Sequence, residues 1–149
     1  MGDKAPSFEL NDQEGRLIRL SDFTGKKIVL YFYPRDNTPG CTREACNFRD
    51  NYTELRKLNV EILGISNDNK ISHKKFSEKF NLPFKLLSDV DKKVSKKYGI
   101  YELKKFMGKS YYGIIRSTFI IDEKGRIEKI FYKVSPEAHL NEIMSALKI

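Results

Sequence analysis

Short, densely apolar runs alternate along the chain with amphipathic stretches of longer period. "KIVLYFYP" is a continuous apolar, β-branched and aromatic run ended by Pro34, the pattern of a strand buried on both faces. "VEILGIS" and the shorter "FKLL" have the same character. "FEL" and "RLIRL" flank "NDQEG" and predict an N-terminal hairpin with Gly15 in its loop. "STFIID" and "RIEKIFYKV" predict a second hairpin around "EKG". Helical patterns fill the intervals: Thr38 to Leu58, then "SHKKFSEKFN", then "DVDKKVSKKYG" closed by Gly99. The tail "SPEAHLNEIMSALK" predicts a last helix with Ser135 as N-cap and Pro136 at the first helical position.

Strand, helix, strand, helix, strand in the middle and an antiparallel pair at the end indicate an α/β fold. The expected core is a central mixed β-sheet flanked by helices, with the N-terminal hairpin as an extension. No repeat, low-complexity tract or linker divides the sequence, so residues 1–149 are expected to form a single domain. In such sheets chemistry gathers where the carboxyl end of a strand feeds a helix. Pro34 to Cys41 occupies that junction.

The same junction, within "YFYPRDNTPGCTREAC", carries both cysteines of the chain, Cys41 and Cys46. Thr38 suits an N-cap, Pro39 loses nothing by lacking an N–H there, and Gly40 lets backbone approach a ligand. Cys41 then stands at the third helical position, facing unpaired N–H groups and the positive end of the helix dipole, both of which favour a charged sulfur. At helical spacing Cys41 shares a stripe with Ala45, Phe48, Tyr52 and Leu55, while Cys46 points away among Asp50, Thr53 and Lys57. Core filling would place both sulfurs on the stripe, so this division favours chemistry. Residues five apart in a regular helix have Cα atoms about 8.5 Å apart, beyond the roughly 7 Å that a disulfide spans. A Cys41–Cys46 bond therefore requires the first turns to unwind, and such local unfolding is expected as a reaction step.

Composition narrows the alternatives. Hydrophobic residues at 40% and charged ones at 32% are ordinary for a folded soluble protein. No run approaches a membrane span, and "MGDKAPSFEL" lacks the layout of a secretion signal, so a cytoplasmic protein without membrane association is expected. A tetrahedral metal site wants four ligands, and the only candidates beside the two cysteines are the lone His73 and His139, both expected at the surface of helices, so a metal site is not favoured. The net charge of +8 is spread among mixed lysines and acids, which argues for solvated faces and against a nucleic-acid partner. A general thiol–disulfide oxidoreductase is the nearest rival, but its usual spacing is C-x-x-C.

Pro34, Thr38 and Cys41 together form P-x-x-x-T-x-x-C, which resembles the active-site signature of the peroxiredoxins. The second thiol in "CTREACNFRD" is similar to the bacterioferritin comigratory protein, or peroxiredoxin Q, class. "GDKAPSFEL", "LSDFTGKKIVLYFYP", "LPFKLLSD", "KKYGIY" and "RSTFIID" resemble further segments of that class in matching order. The resemblance implies a thioredoxin-like fold and a thiol-dependent peroxidase acting on hydrogen peroxide and organic hydroperoxides. It implies that Cys41 attacks the peroxide and that Cys46 resolves the sulfenic acid as an intramolecular disulfide. A thioredoxin-like dithiol protein would then reduce that bond. Thr38 and Arg116 would flank the peroxide, Pro34 would shield the pocket, and Glu44 would orient the arginine. Glu44 on the residues alone could equally be a solvated acid. No cofactor is required, and a monomer is expected.

Overall fold

The computed structural model describes residues 2–135 and 139–147, with Phe106 and His139 described through their backbone alone. A seven-stranded mixed sheet forms its centre, ordered β2-β1-β5-β4-β3-β8-β9. β3 (Lys27–Phe32), β4 (Val60–Ser66) and β5 (Lys85–Ser88) run parallel, while β8 (Ser117–Ile121) and β9 (Ile127–Phe131) continue antiparallel. The N-terminal hairpin, β1 (Glu9–Asn11) with β2 (Leu17–Arg19), joins the sheet beside β5.

The continuous apolar run in β3 follows from burial on both faces. Ile28, Leu30 and Phe32 enter one cluster with Leu63, Val94 and Phe119. Val29, Tyr31 and Tyr33 enter the other, with Cys41, Phe48, Leu55 and Phe76. Each such side chain contributes about 1.5–3 kcal/mol on transfer from water, so the strand that delivers the chain to the cysteines is among the most firmly held elements. Helices α1 (Pro39–Asp50), α2 (Tyr52–Lys57) and α3 (Lys70–Phe80) pack on the second face, as does α5 (His139–Leu147). α4 (Lys93–Lys97) packs on the first through Val94. The expected first helical position at Pro136 and the placement of the His139 ring lie outside what is described.

Three features depart from expectation. The helix from Thr38 to Leu58 is divided at Asn51, whose backbone sits at φ −114°, ψ 8°. Asn51 Nδ2 donates to the Asn47 carbonyl at 2.9 Å, replacing the bond its own N–H would make and ending α1. A second hairpin, β6 (Tyr101–Phe106) with β7 (Lys109–Ile114), forms a separate two-stranded sheet in a stretch without a clean strand pattern. His73, expected at the surface, is fully buried. Its two ring nitrogens lie 2.7 Å from Asp36 Oδ2 and 3.0 Å from the Leu87 carbonyl.

Candidate active site

The site is assembled where β3 ends. Tyr33 and Pro34 leave the sheet, and a short loop passes through Asn37, at φ 61°, to Thr38. Thr38 has the extended backbone of an N-cap, and Thr42 donates the first helical bond to its carbonyl at 2.8 Å. Its hydroxyl does not cap the helix. It turns back instead and donates to the Arg35 carbonyl at 3.1 Å, so the first turn of α1 has no side-chain cap from Thr38. Pro34 is half-buried beside this loop and Gly40 is the second residue of α1.

Cys41 is the third residue of α1 and is 1% exposed. It lies on the buried stripe with Ala45, Phe48 and Leu55, while Cys46 is half-buried elsewhere on the helix. Both thiols are free. Arg116 reaches Cys41 from far along the chain. It lies in the connection between β7 and β8, and the pairing of Phe32 with Ser117 brings that connection to the end of β3. Arg116 Nη2 stands 3.2 Å from Cys41 Sγ, and Nη1 stands 2.6 Å from Glu44 Oε1. Glu44 is 2% exposed, so it is not a solvated acid.

Electrostatics tighten the arrangement. Burial raises the Glu44 carboxyl from the usual range to about 7, against the opposing pull of Arg116. Burial also works against the charge on Arg116, but Glu44 and Cys41 outweigh it and raise its pKa. The guanidinium therefore stays cationic, with one terminal nitrogen on an acid and the other on sulfur.

Two further side chains belong to this region and were not anticipated. Tyr31 is buried under α1, its ring 4.8 Å from that of Phe48. Its hydroxyl and Glu44 Oε2 are both buried without a hydrogen-bond partner among the described residues. Burial first, then the nearby Glu44 and Cys41, push the Tyr31 phenol well above its usual pKa, so it remains neutral. Lys104 on β6 donates to the Ile114 carbonyl at 2.8 Å. Its pKa is lowered by burial and by Arg116, with Cys41 acting the other way. Tyr31 was findable, since alternation along β3 puts it on the face that meets Cys41. Lys104 carried no signal, because its hairpin was not foreseen.

The chain brings Cys41, Glu44 and Arg116 into one bonded series, sets Thr38 one turn before the sulfur, and leaves Cys46 apart on the same helix. Such a set can present a buried sulfur nucleophile with a fixed cation beside it. Among the described residues no helix is long and apolar enough to cross a membrane.

Comparison with known proteins finds a match to the AhpC/TSA family over residues 1–130. The chain is 49% identical over 148 residues to the peroxiredoxin Bcp of Bacillus subtilis, covering 99% of this chain and 94% of that protein. It is 46% identical over 147 residues to the peroxiredoxin Bcp of Escherichia coli, covering 99% and 94%. Among solved structures, the Xanthomonas campestris bacterioferritin comigratory protein superposes with a TM-score of 0.90 at 35% identity, covering 95% of this chain and 90% of that one. That structure concerns alkyl peroxide reduction and holds a trapped intermediate or ligand. Peroxidoxin BcpB of Mycobacterium tuberculosis gives a TM-score of 0.87 at 35% identity, covering 99% and 95%.

Proposed function

The chain belongs to the AhpC/TSA family and is a peroxiredoxin, a thiol peroxidase of thioredoxin-like fold, and on that premise we propose the roles of its individual residues. Cys41 attacks as a thiolate on the terminal oxygen of a hydroperoxide. An S–O bond forms, the O–O bond breaks, sulfur is oxidised to a sulfenic acid, and the peroxide leaves as an alkoxide or hydroxide that takes a proton from water. Arg116 stabilises both the starting thiolate and the charge that grows on the departing oxygen. Glu44 fixes the arginine by its short bond at 2.6 Å. Thr38, one turn before the sulfur, offers a hydroxyl that would exchange its bond to the Arg35 carbonyl for one to the bound peroxide. Gly40 allows close approach at the helix mouth, and Pro34 shields the pocket from water.

Cys46 then attacks the Cys41 sulfenic sulfur, forming the disulfide and expelling the oxygen as water. Both cysteines lie within the unbroken helix Pro39–Asp50, where regular geometry holds their Cα atoms about 8.5 Å apart. Resolution therefore needs α1 to unwind. The break at Asn51 favours this, because α1 can open without disturbing the hydrogen bonds of α2. A thioredoxin-like dithiol protein restores the two thiols by exchange.

The observation that carries this cycle is the single guanidinium shared by Cys41 Sγ and Glu44. Hydrogen peroxide and organic hydroperoxides are the proposed substrates, the latter supported by the alkyl peroxide reduction described for the Xanthomonas relative. The proposed setting is cytoplasmic, with a single-domain monomer, no bound cofactor and no nucleic-acid partner. Mass spectrometry before and after one equivalent of peroxide tests the cycle. Loss of two hydrogens, mapped to the peptide holding both thiols, is expected; an unchanged mass for that peptide would remove the assignment.

A further inference from the structure

The proposed cycle makes no use of His73, yet this ring is fully buried on α3 and engaged at both nitrogens. The Leu87 carbonyl can only accept, so Nε2 carries a hydrogen. Nδ1 then faces Asp36 Oδ2 at 2.7 Å, and the bond between them needs one proton, held by the ring or by the acid. Asp36 is tied from several other directions. Tyr33 donates to its Oδ1 at 2.6 Å and Ser72 to its Oδ2 at 2.8 Å. Its own backbone N–H donates to Asp68 Oδ2 at 2.8 Å, and Ser66 holds that same oxygen at 2.7 Å.

The network therefore pins one loop residue to the ends of β3 and β4, to α3 and, through the ring, to β5. That residue stands two positions before Thr38 and five before Cys41. Asp36, Asp68 and His73 do gather ligand-type atoms within 4.8 Å of one another. Both ring nitrogens of His73, both carboxylate oxygens of Asp36 and Asp68 Oδ2 are engaged in the bonds given above, which favours a hydrogen-bond network over a set of metal ligands.

We infer that the Asp36–His73 pair anchors the Pro34–Thr38 loop while α1 unwinds, which makes His73 a positioning residue for the chemistry at Cys41. This inference rests on the peroxidase cycle proposed above. When α1 opens, the bond from Thr42 to the Thr38 carbonyl is among those that break. What then holds the loop in place is chiefly the bonding of Asp36, beside a longer bond from Lys79 Nζ to Asn37 Oδ1 at 3.4 Å. An anchored loop keeps the niche of Cys41 in register in the reduced protein and gives the helix a fixed start from which to re-form. A buried carboxylate that loses its ring partner is left undersatisfied, and the loop shifts to find water.

Two substitutions of similar size separate anchoring from simple core filling. In His73→Asn the amide nitrogen stands where Nδ1 stood and keeps a donor on Asp36. In His73→Gln it stands nearer to Nε2 and keeps the bond to Leu87 alone. Stopped-flow reaction with hydrogen peroxide is expected to be about tenfold slower for His73→Gln, since small misplacements of reacting groups are costly. His73→Asn is expected to stay within about threefold of the parent. Mass spectrometry at a fixed peroxide excess should show less sulfinic acid on Cys41 in His73→Gln, because attack is slower and the loosened helix admits Cys46 sooner.

A structural role alone would lower the stability of both variants and leave the rate per folded molecule unchanged. The parent rate in His73→Gln, or equal slowing in both variants, overturns the inference. Where His73→Gln yields too little folded protein, Ser72→Ala removes a donor to the same Asp36 oxygen and is read in its place, slowing in support and an unchanged rate against. A parent protein that forms neither sulfenic acid nor disulfide with peroxide would sink the cycle itself; a working parent with indifferent variants sinks only the anchor.

Discussion

Arg116 and Glu44 meet at 2.6 Å although 72 positions separate them in the chain. The contact forms in a site where the acid is 2% exposed and the arginine side chain 13%. A buried pair of this kind stabilises little by itself, because desolvation offsets its attraction. Its value lies in geometry: one nitrogen held by Glu44 leaves the other fixed at 3.2 Å from Cys41 Sγ.

Replacing Arg116 by lysine tests whether the fork or only the charge matters. An ammonium is a point charge on a flexible stem and cannot hold carboxylate and sulfur in one plane. Single-turnover reaction of Arg116→Lys with hydrogen peroxide should be slower by about 10²-fold, the usual cost of losing one donor to developing charge. Arg116→Ala should be slower still. A lysine variant that reacts as fast as the parent would reduce the role of Arg116 to charge alone.

Glu44 gives stability a defined pH dependence. Its carboxyl is raised from 4.5 to about 7 in the folded protein, chiefly by burial. Between those values the folded state binds more protons than the unfolded state, so stability must fall as pH rises. The stabilisation is fully present below about pH 4.5 and lost as pH climbs through about 7, on the order of 3 kcal/mol in total. Urea unfolding of Glu44→Gln across this window should show a flatter profile than the parent. Equal slopes in the two proteins would mean that another group carries the dependence.

Cys46 should be dispensable for the first oxidation and needed for the second. In Cys46→Ser a sulfenic acid on Cys41 has no resolving thiol in its chain. One equivalent of peroxide should therefore give a species that a dimedone-type reagent traps, and excess peroxide should drive it to sulfinic acid. Cys41→Ser should consume no peroxide at all. Disulfide-linked dimers of Cys41→Ser formed by peroxide would instead place the attacking thiol at Cys46.

Much of this arrangement was legible in the residues, and the exceptions share a cause. β3 announced itself because both its faces are buried, and the helix mouth because Thr38 suits an N-cap and Pro39 is preset for the first helical position. His73 could not be placed, and Glu44 only through the resemblance, since their partners Asp36 and Arg116 come from distant parts of the chain. β6 and β7 were invisible for a different reason. Leu103, Tyr111 and Tyr112 are exposed, so burial imposes no strict alternation on the hairpin. The break at Asn51 depends on one side-chain bond that propensity alone does not weigh against twenty helical positions.

Gly64 offers a test of how tightly the floor of the site is packed. It lies mid-strand in β4, paired to Tyr31 on one side and Leu86 on the other. Its backbone is not in the left-handed region, so alanine is admissible there on conformational grounds. Space is the obstacle. A Cβ at this position would stand 2.8 Å from Tyr31 Cζ, 2.9 Å from its hydroxyl and 3.0 Å from Leu86 Cδ2. The Tyr31 ring cannot retreat freely, being packed 4.8 Å from Phe48 and 6.0 Å from Phe84. Gly64→Ala should thus destabilise by about 1–3 kcal/mol, as overpacking of a filled core does. In a Tyr31→Leu background the added methyl occupies vacated space, and its cost should shrink by about 1 kcal/mol or more in a double-mutant cycle. Additive effects from chemical denaturation would show that the glycine is required for some reason other than the phenol above it.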